Sequence, residues 1–318
     1  DVLQSRGLGD VYKRQEVKFA LHRLNLRGVR MSLLSWLLLC LIYVNTQMMT
    51  TETRYKRIGV FDSGIGGLTV LRELYRQLPN ESILYFGDTA RLPYGTRTTE
   101  EILQFVDEII GWLVKSEVKM VLMACNTSSA LALEKVRSKF DIPILGLIVP
   151  GASAAVEQGK RIGVIATPAT AASNAYRHAI LEADASVQVW QVGCPYFVPL
   201  IEQNQLHDPY TYQIAEEYLT PLIQQQIDTL VYGCTHYPYL EPILRSLLPK
   251  SVNFVDPAVS LVKVVARELE IMDLQNCNAP KPTKFVVSAS PQKFADLSLQ
   301  LLGYKPVIQT ISLPTILD

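Results

Sequence analysis

From about residue 55 onward, short apolar runs alternate with longer stretches in which apolar residues recur every three or four positions. Lys56 to Phe61 reads as a buried strand. Leu68 to Leu78, with Leu68, Leu71, Leu74, Tyr75 and Leu78 on one face, reads as a helix. The same logic predicts a strand over Ser82–Phe86, a helix over 100–115, a strand over Met120–Met123 and a helix over 128–138. The cycle restarts at Ile162. Farther on come a helix (Val259–Glu270), a loop (Asn276–Pro282), a strand (Lys284–Ser288) and a helix (Gln292–Leu302). Alternation of this kind predicts parallel sheets with helices on both faces.

The pattern is also duplicated. Val121-Leu122-Met123-Ala124-Cys125-Asn126-Thr127 matches Leu230-Val231-Tyr232-Gly233-Cys234-Thr235-His236. Ile58-Gly59-Val60 matches Ile162-Gly163-Val164, and Val149-Pro150-Gly151 matches Asp256-Pro257-Ala258. The offsets are 109, 104 and 107 residues, close enough for one duplicated α/β unit with small insertions. We therefore expect two pseudo-symmetric, doubly wound parallel-sheet domains with the active site in the cleft between them. The first would comprise 55–149 plus 256–303 and the second 150–255, with 304–318 as a tail. Open sheets bind ligands beyond the carboxyl ends of their strands, and that is where Cys125 and Cys234 fall.

Two thiols facing each other suit inversion of a carbon centre. A thiolate removes hydrogen from one face, a thiol returns one to the other, and the roles exchange in reverse. A free thiol titrates at about 8.5, so modest help from a neighbour or a helix N-terminus makes it a usable base. Taken singly, either cysteine is more simply a core residue, and it is their equivalent placement that reverses this. His236 lies on the opposite side from Cys234 if the segment stays extended, and converges with it if the chain turns; spacing alone leaves both open. Thr167 and Thr170 read equally as helix caps, and even so would present an N-terminus suited to a carboxylate.

Composition narrows the classes. Of 318 residues, 48% are hydrophobic and 19% charged, enough for two ordinary cores, and 30 basic residues balance 30 acidic ones. That balance leaves no broad footprint for nucleic acid or an anionic membrane surface. The five cysteines (Cys40, Cys125, Cys194, Cys234, Cys277) are widely spaced with no CxxC pair, which points to free thiols in a reducing compartment. Cys194 lacks a symmetric counterpart and reads as structural. Residues 1–54 stand apart. Arg23, Arg27 and Arg30 precede an apolar run from Leu33 to Val44 that resembles a signal peptide but has no small-residue cleavage site after it. Translated upstream sequence or a cloning scar is the expectation for this leader.

Asp62-Ser63-Gly64-Ile65-Gly66-Gly67, Pro93-Tyr94-Gly95, Cys125-Asn126-Thr127, Cys194-Pro195 with Glu202 downstream, and Gly233-Cys234-Thr235-His236-Tyr237-Pro238 occur in this order. In these five motifs, spread over about residues 56–303, the chain resembles the glutamate racemases. The resemblance implies that Cys125 acts on the D enantiomer and Cys234 on the L enantiomer, with Asp62 and His236 as their helpers and Glu202 near His236. It further implies that Asp62, Ser63, Pro93, Tyr94, Gly95, Cys125, Asn126, Thr127, Thr167, Thr170, Cys234, Thr235 and His236 hold the substrate. Ala166 stands where a glycine is frequent. The implied protein is a cytoplasmic homodimer that uses no cofactor or metal and supplies D-glutamate to peptidoglycan.

Other classes compete. Gly64, Gly66 and Gly67 suggest a dinucleotide turn with Asp88 as the ribose acid, but position 69 is Thr69, not the third glycine. A cysteine hydrolase using Cys234 and His236 would leave Cys125 unexplained. A non-catalytic amino-acid-binding module would use the same cleft. Racemases acting on aspartate tend to carry glutamate where His236 stands, so the histidine points to glutamate as substrate. No lysine lies in any candidate motif to hold pyridoxal phosphate.

Overall fold

Parallel strands need helical crossovers, and the chain supplies them at nearly every step. The structure, a computed structural model, describes residues 52–312. Nearly all of the expected leader, Cys40, and residues 313–318 of the tail lie outside the described residues.

The first half runs β1 (Ile58–Asp62), α1 (Leu68–Gln77), β2 (Ile83–Gly87), α2 (Thr99–Lys115), β3 (Met120–Met123), α3 (Asn126–Arg137) and β4 (Ile144–Gly146), and α4 (Ile148–Gln158) leads into the second half, packing against its core through Ile148, Ala152 and Ala155. The second runs β5 (Arg161–Ala166), α5 (Pro168–Ala172), α6 (Ala175–Ala183), β6 (Gln188–Gly193), α7 (Phe197–Glu202), α8 (Pro209–Gln224), β7 (Thr229–Gly233), α9 (Glu241–Leu247) and β8 (Asn253–Val255). Then come α10 (Pro257–Ile271), β9 (Lys284–Val287), α11 (Pro291–Leu302) and β10 (Ile308–Thr310). Expected and observed boundaries agree within a few residues. The helix expected from residue 128 begins at Asn126, directly after Cys125, because the chain turns as soon as the strand ends. The segment expected to be a plain tail contributes β10, which pairs with β9.

One sheet has the order β10-β9-β2-β1-β3-β4 and the other β6-β5-β7-β8, with every pairing parallel. Within the first, β2-β1-β3-β4 repeats the order of the second sheet, and β9 and β10 extend the β2 edge. The strand alternation sorts the core. Ile58, Val60, Met120 and Leu122 join one large apolar cluster that also contains Leu230 and Tyr232 of the second sheet, so the halves share a core. Phe61, Val121 and Met123, of opposite parity, pack instead with Ile102, Val106, Ile109 and Leu113 of α2. Each such side chain, fully buried, is worth roughly 1.5–3 kcal/mol. A capping box starts α2: Thr98 Oγ1 accepts from the Glu101 amide at 3.2 Å, and Glu101 Oε2 accepts from the Thr98 amide at 2.9 Å. Among the described residues no helix is long and apolar enough to cross a membrane.

Candidate active site

In each sheet the strand order reverses at one pair, β1/β3 in the first and β5/β7 in the second, and a crevice opens beyond those strand ends. Asp62 ends β1, Cys125 follows β3, Thr167 follows β5 and Cys234 follows β7. All four line one cavity of about 550 Å³, open mouth included. Ser63, Pro93, Tyr94, Gly95, Asn126, Thr127, Thr235 and His236 complete the expected part of its wall. Thr170 and Glu202 stand one layer behind, touching the wall through Thr127, Thr167 and His236. The wall also includes Thr96, Pro168, Cys194, Pro195, Val198 and Pro199. No chemical signal singled most of these out, because small and apolar residues reach a site only through the path of the chain.

On the Cys125 side, an extended backbone (φ −124°, ψ 122°) aims the residue at the N-terminus of α3. Burial and the Asp62 charge push its thiol up to about 12, against the opposing bonds from Ser128. At neutral pH Cys125 is therefore a protonated donor. Asp62 Oδ2 accepts from the Gly67 amide at 2.7 Å and the Gly64 amide at 3.3 Å, while buried Oδ1 has no hydrogen-bond partner in the protein. Burial raises the Asp62 carboxyl, and the His236 charge and the turn amides offset only part of that rise.

On the Cys234 side the open question about His236 is decided. The strand stops at Gly233 and His236 adopts helical angles (φ −77°, ψ −28°), so the ring folds back and Nδ1 lies 3.7 Å from Cys234 Sγ. Nε2 lies 3.1 Å from Glu202 Oε1, and Lys293 Nζ is 3.7 Å from Glu202 Oε2. Burial disfavours the imidazolium, but the bonds to Cys234 and Glu202 outweigh it and raise His236 well above its ordinary value. Burial likewise opposes the Glu202 charge; His236 and Lys293 prevail and lower its carboxyl. The two thiols thus differ: one faces a carboxylate, the other an imidazolium backed by a carboxylate.

Between them lies a set of donors. Thr127, Thr167 and Thr170 bring three hydroxyl oxygens within 2.9–3.2 Å of one another, joining the start of α3 to the cap of α5. Asn126 Oδ1 accepts from Tyr176 at 2.6 Å, leaving its buried Nδ2 without a protein partner. Amides and hydroxyls at a helix start favour a carboxylate. The Tyr94 hydroxyl is committed to Asp88, which also binds Arg91 at 2.6 Å and Ser288 at 2.8 Å. Asp88 is thereby occupied in holding the Pro93–Thr96 segment, which removes the ribose acid a dinucleotide site would need. The glycines have another use. A Cβ on Gly66 would collide with His236 Nδ1 and lie 2.6 Å from Thr235 Oγ1, and one on Gly95 would lie 2.6 Å from Thr167 Cβ. These positions stay bare because the two halves approach each other there.

Cys194 borders the cavity, but its thiol is fully buried, lies 3.6 Å from the Val192 carbonyl, and is raised by burial. Among the described residues Cys125, Cys194, Cys234 and Cys277 are all free thiols. No group of three or more His, Cys, Asp or Glu side chains among those residues is arranged to hold a metal ion.

The family model described as Asp/Glu/Hydantoin racemase matches residues 58–265. The chain is 90% identical over 269 residues to a glutamate racemase of Trichodesmium erythraeum, covering 85% of this chain and 100% of that protein. It is 64% identical over 260 residues to one from Trichormus variabilis, covering 82% and 89%. Among solved structures, a glutamate racemase isoform of Bacillus anthracis superposes with TM-score 0.79 at 37% identity, over 82% of this chain and 99% of that one. The Francisella tularensis glutamate racemase, solved with D-glutamate, superposes with TM-score 0.78 at 36% identity, over 82% and 99%. Repeated strand-end cysteines around one cavity, the paired sheets and these likenesses agree: the chain belongs to the Asp/Glu/Hydantoin racemase family.

Proposed function

We propose that this protein is a glutamate racemase that interconverts L- and D-glutamate by a two-base transfer of the α-hydrogen. The observation that carries the reading is the pair Cys125 and Cys234, at equivalent strand ends and lining one cavity. Relatives named glutamate racemase support the substrate.

In the L-to-D direction the Cys234 thiolate, paired with the His236 imidazolium, takes the α-hydrogen. The C–H bond breaks as S–H forms, and the electron pair stays on the α-carbon and its carboxylate. The Cys125 thiol delivers its proton to the opposite face, leaving a thiolate that starts the reverse reaction. Asp62 would meet the ammonium group and steer the Cys125 proton, a role supported by its buried Oδ1 having no hydrogen-bond partner in the protein. Asn126 Nδ2, the Thr127–Thr167–Thr170 hydroxyls and the α3 amides would hold a carboxylate. Ser63, Gly95 and Thr235 would complete the cradle, with Pro93 and Tyr94 shaping its wall. Enclosure of the carbon between the halves strengthens these interactions by excluding water.

The fold supports reading residues 55–149 with 256–303 as one half and 150–255 as the other. D-glutamate for peptidoglycan, a cytoplasmic setting and a homodimer belong to the same reading, and light scattering of the purified protein tests the dimer. The direct test is L-glutamate in deuterated water without added cofactor or metal, followed by polarimetry and NMR, with L-aspartate in parallel. Racemisation of glutamate with deuterium at the α-carbon supports the reading; racemisation of aspartate alone, or of neither, refutes it.

A further inference from the structure

The Gly64–Gly67 turn touches both acid–base centres. Its Gly64 and Gly67 amides donate to Asp62 Oδ2, while the Ile65 amide faces Glu202 and helps keep that carboxylate charged. Gly66 lies directly against His236 and Thr235. A turn whose amides aim at two different carboxylates keeps that aim only if its carbonyls are held as well. Two buried hydroxyls help to hold them: Tyr85 donates to the Gly64 carbonyl at 2.9 Å, and Thr69 to the Gly66 carbonyl at 2.9 Å, beside the Thr69 amide, which donates to the same carbonyl at 3.0 Å. The Thr69 oxygen also lies 3.4 Å from the Thr235 carbonyl, next to Cys234. Tyr85 and Thr69 are absent from the cavity wall.

We propose that Tyr85 and Thr69 are positioning residues that lock the Gly64–Gly67 turn as one support shared by Asp62, on the Cys125 side, and by Glu202 and His236, on the Cys234 side. Thr69, the residue that breaks the dinucleotide fingerprint, thereby gains a role: its hydroxyl does what a glycine there could not. The proposal rests on the racemase reading above.

The test compares wild type with Tyr85→Phe, Thr69→Val and Thr69→Ser, and combines the first two with Asp62→Asn and with Glu202→Gln. L and D forms have equal free energy, so kcat/KM must fall equally in both directions and cannot discriminate. The informative readouts are kcat against KM, the pH profile and double-mutant coupling. We expect Tyr85→Phe and Thr69→Val to lower kcat about tenfold with KM nearly unchanged, the effect of one lost hydrogen bond on positioning. Freed from the turn amides, the Asp62 and Glu202 carboxyls titrate higher, so the acid limb of the profile moves to higher pH. Thr69→Ser, which keeps the hydroxyl, retains wild-type behaviour, and each hydroxyl deletion is non-additive with both carboxylate variants.

Strict additivity with either Asp62→Asn or Glu202→Gln overturns the shared support. So does a loss in Thr69→Ser equal to that in Thr69→Val, or an unmoved acid limb. An inactive wild type would instead refute the racemase reading itself.

Discussion

Replacing Glu202 by glutamine removes a charge from behind His236 while keeping the shape. The wild-type contact is 3.1 Å from His236 Nε2 to Glu202 Oε1, both side chains are buried, and the same ring reaches Cys234 at 3.7 Å. A hydrogen bond to a charged group contributes about 1.5–3 kcal/mol and a neutral one about 1, so the substitution forfeits roughly 0.5–2 kcal/mol of support for the imidazolium. That lets the His236 pKa fall back from its raised position, because the charged partner that favours the imidazolium is gone. The imidazolium beside Cys234 is then lost earlier as pH rises. We expect the basic limb of the rate profile to move to lower pH, and kcat to fall roughly 2- to 30-fold. The assay is polarimetric racemisation across pH, with NMR of the His236 ring nitrogens as an independent titration. The same linkage acts on folding: with its pKa raised, His236 contributes stability that is complete below its unfolded value of about 6.5 and is lost as pH rises through the folded value. A Glu202→Gln enzyme with kcat within twofold of wild type and an unmoved basic limb would refute the relay from Glu202 through His236 to Cys234.

Cys125→Ala should abolish racemisation, yet Cys234 still exchanges the α-hydrogen of L-glutamate; NMR in deuterated water should find deuterated L-glutamate with no D form, and inversion at the wild-type rate would exclude Cys125 as the second acid. Gly66→Ala drives a methyl group into His236 and so must displace its ring from Cys234 or Glu202; we expect at least about 100-fold loss of kcat, measured beside thermal melting to separate it from unfolding. Asp256 caps α10, accepting from the Ala258 amide at 2.9 Å, and burial raises its carboxyl to about 6 against the pull of Arg72. A raised acid favours folding at low pH, so its contribution should decline from about pH 4, where the unfolded group titrates, to about 6. Asp256→Asn, which keeps an acceptor but cannot ionise, should gain in Tm relative to wild type across that interval; a constant Tm difference would contradict the assignment.

Much of this molecule is legible in the linear chain. Helix and strand periods need only local pattern, so α1 and β3 begin where the apolar spacing places them. Duplication is visible because Val121–Thr127 and Leu230–His236 retain matching residues after the two halves took separate paths. The pairing of Cys125 with Cys234 could be inferred because equivalent strands in equivalent sheets end at equivalent places. What could not be read was direction and approach. Whether His236 meets Cys234 or turns away depends on two dihedral angles just beyond β7, and an extended chain would reverse the answer. Asp88 looked like a ribose-binding acid until the fold placed Tyr94, Arg91 and Ser288 around it. Thr69 looked like a flaw in a glycine fingerprint until Gly66 and Thr235 came within reach of its hydroxyl. The backbone's local preferences and the periodicity of burial are encoded residue by residue, so the chain alone determined its elements, its duplication and its pair of thiols. Contacts between residues far apart in the chain, from the glycine turn to His236 and from Thr127 to Thr167, 40 residues on, exist only once the two sheets share a core, and packing decided which polar groups met and which charges survived burial.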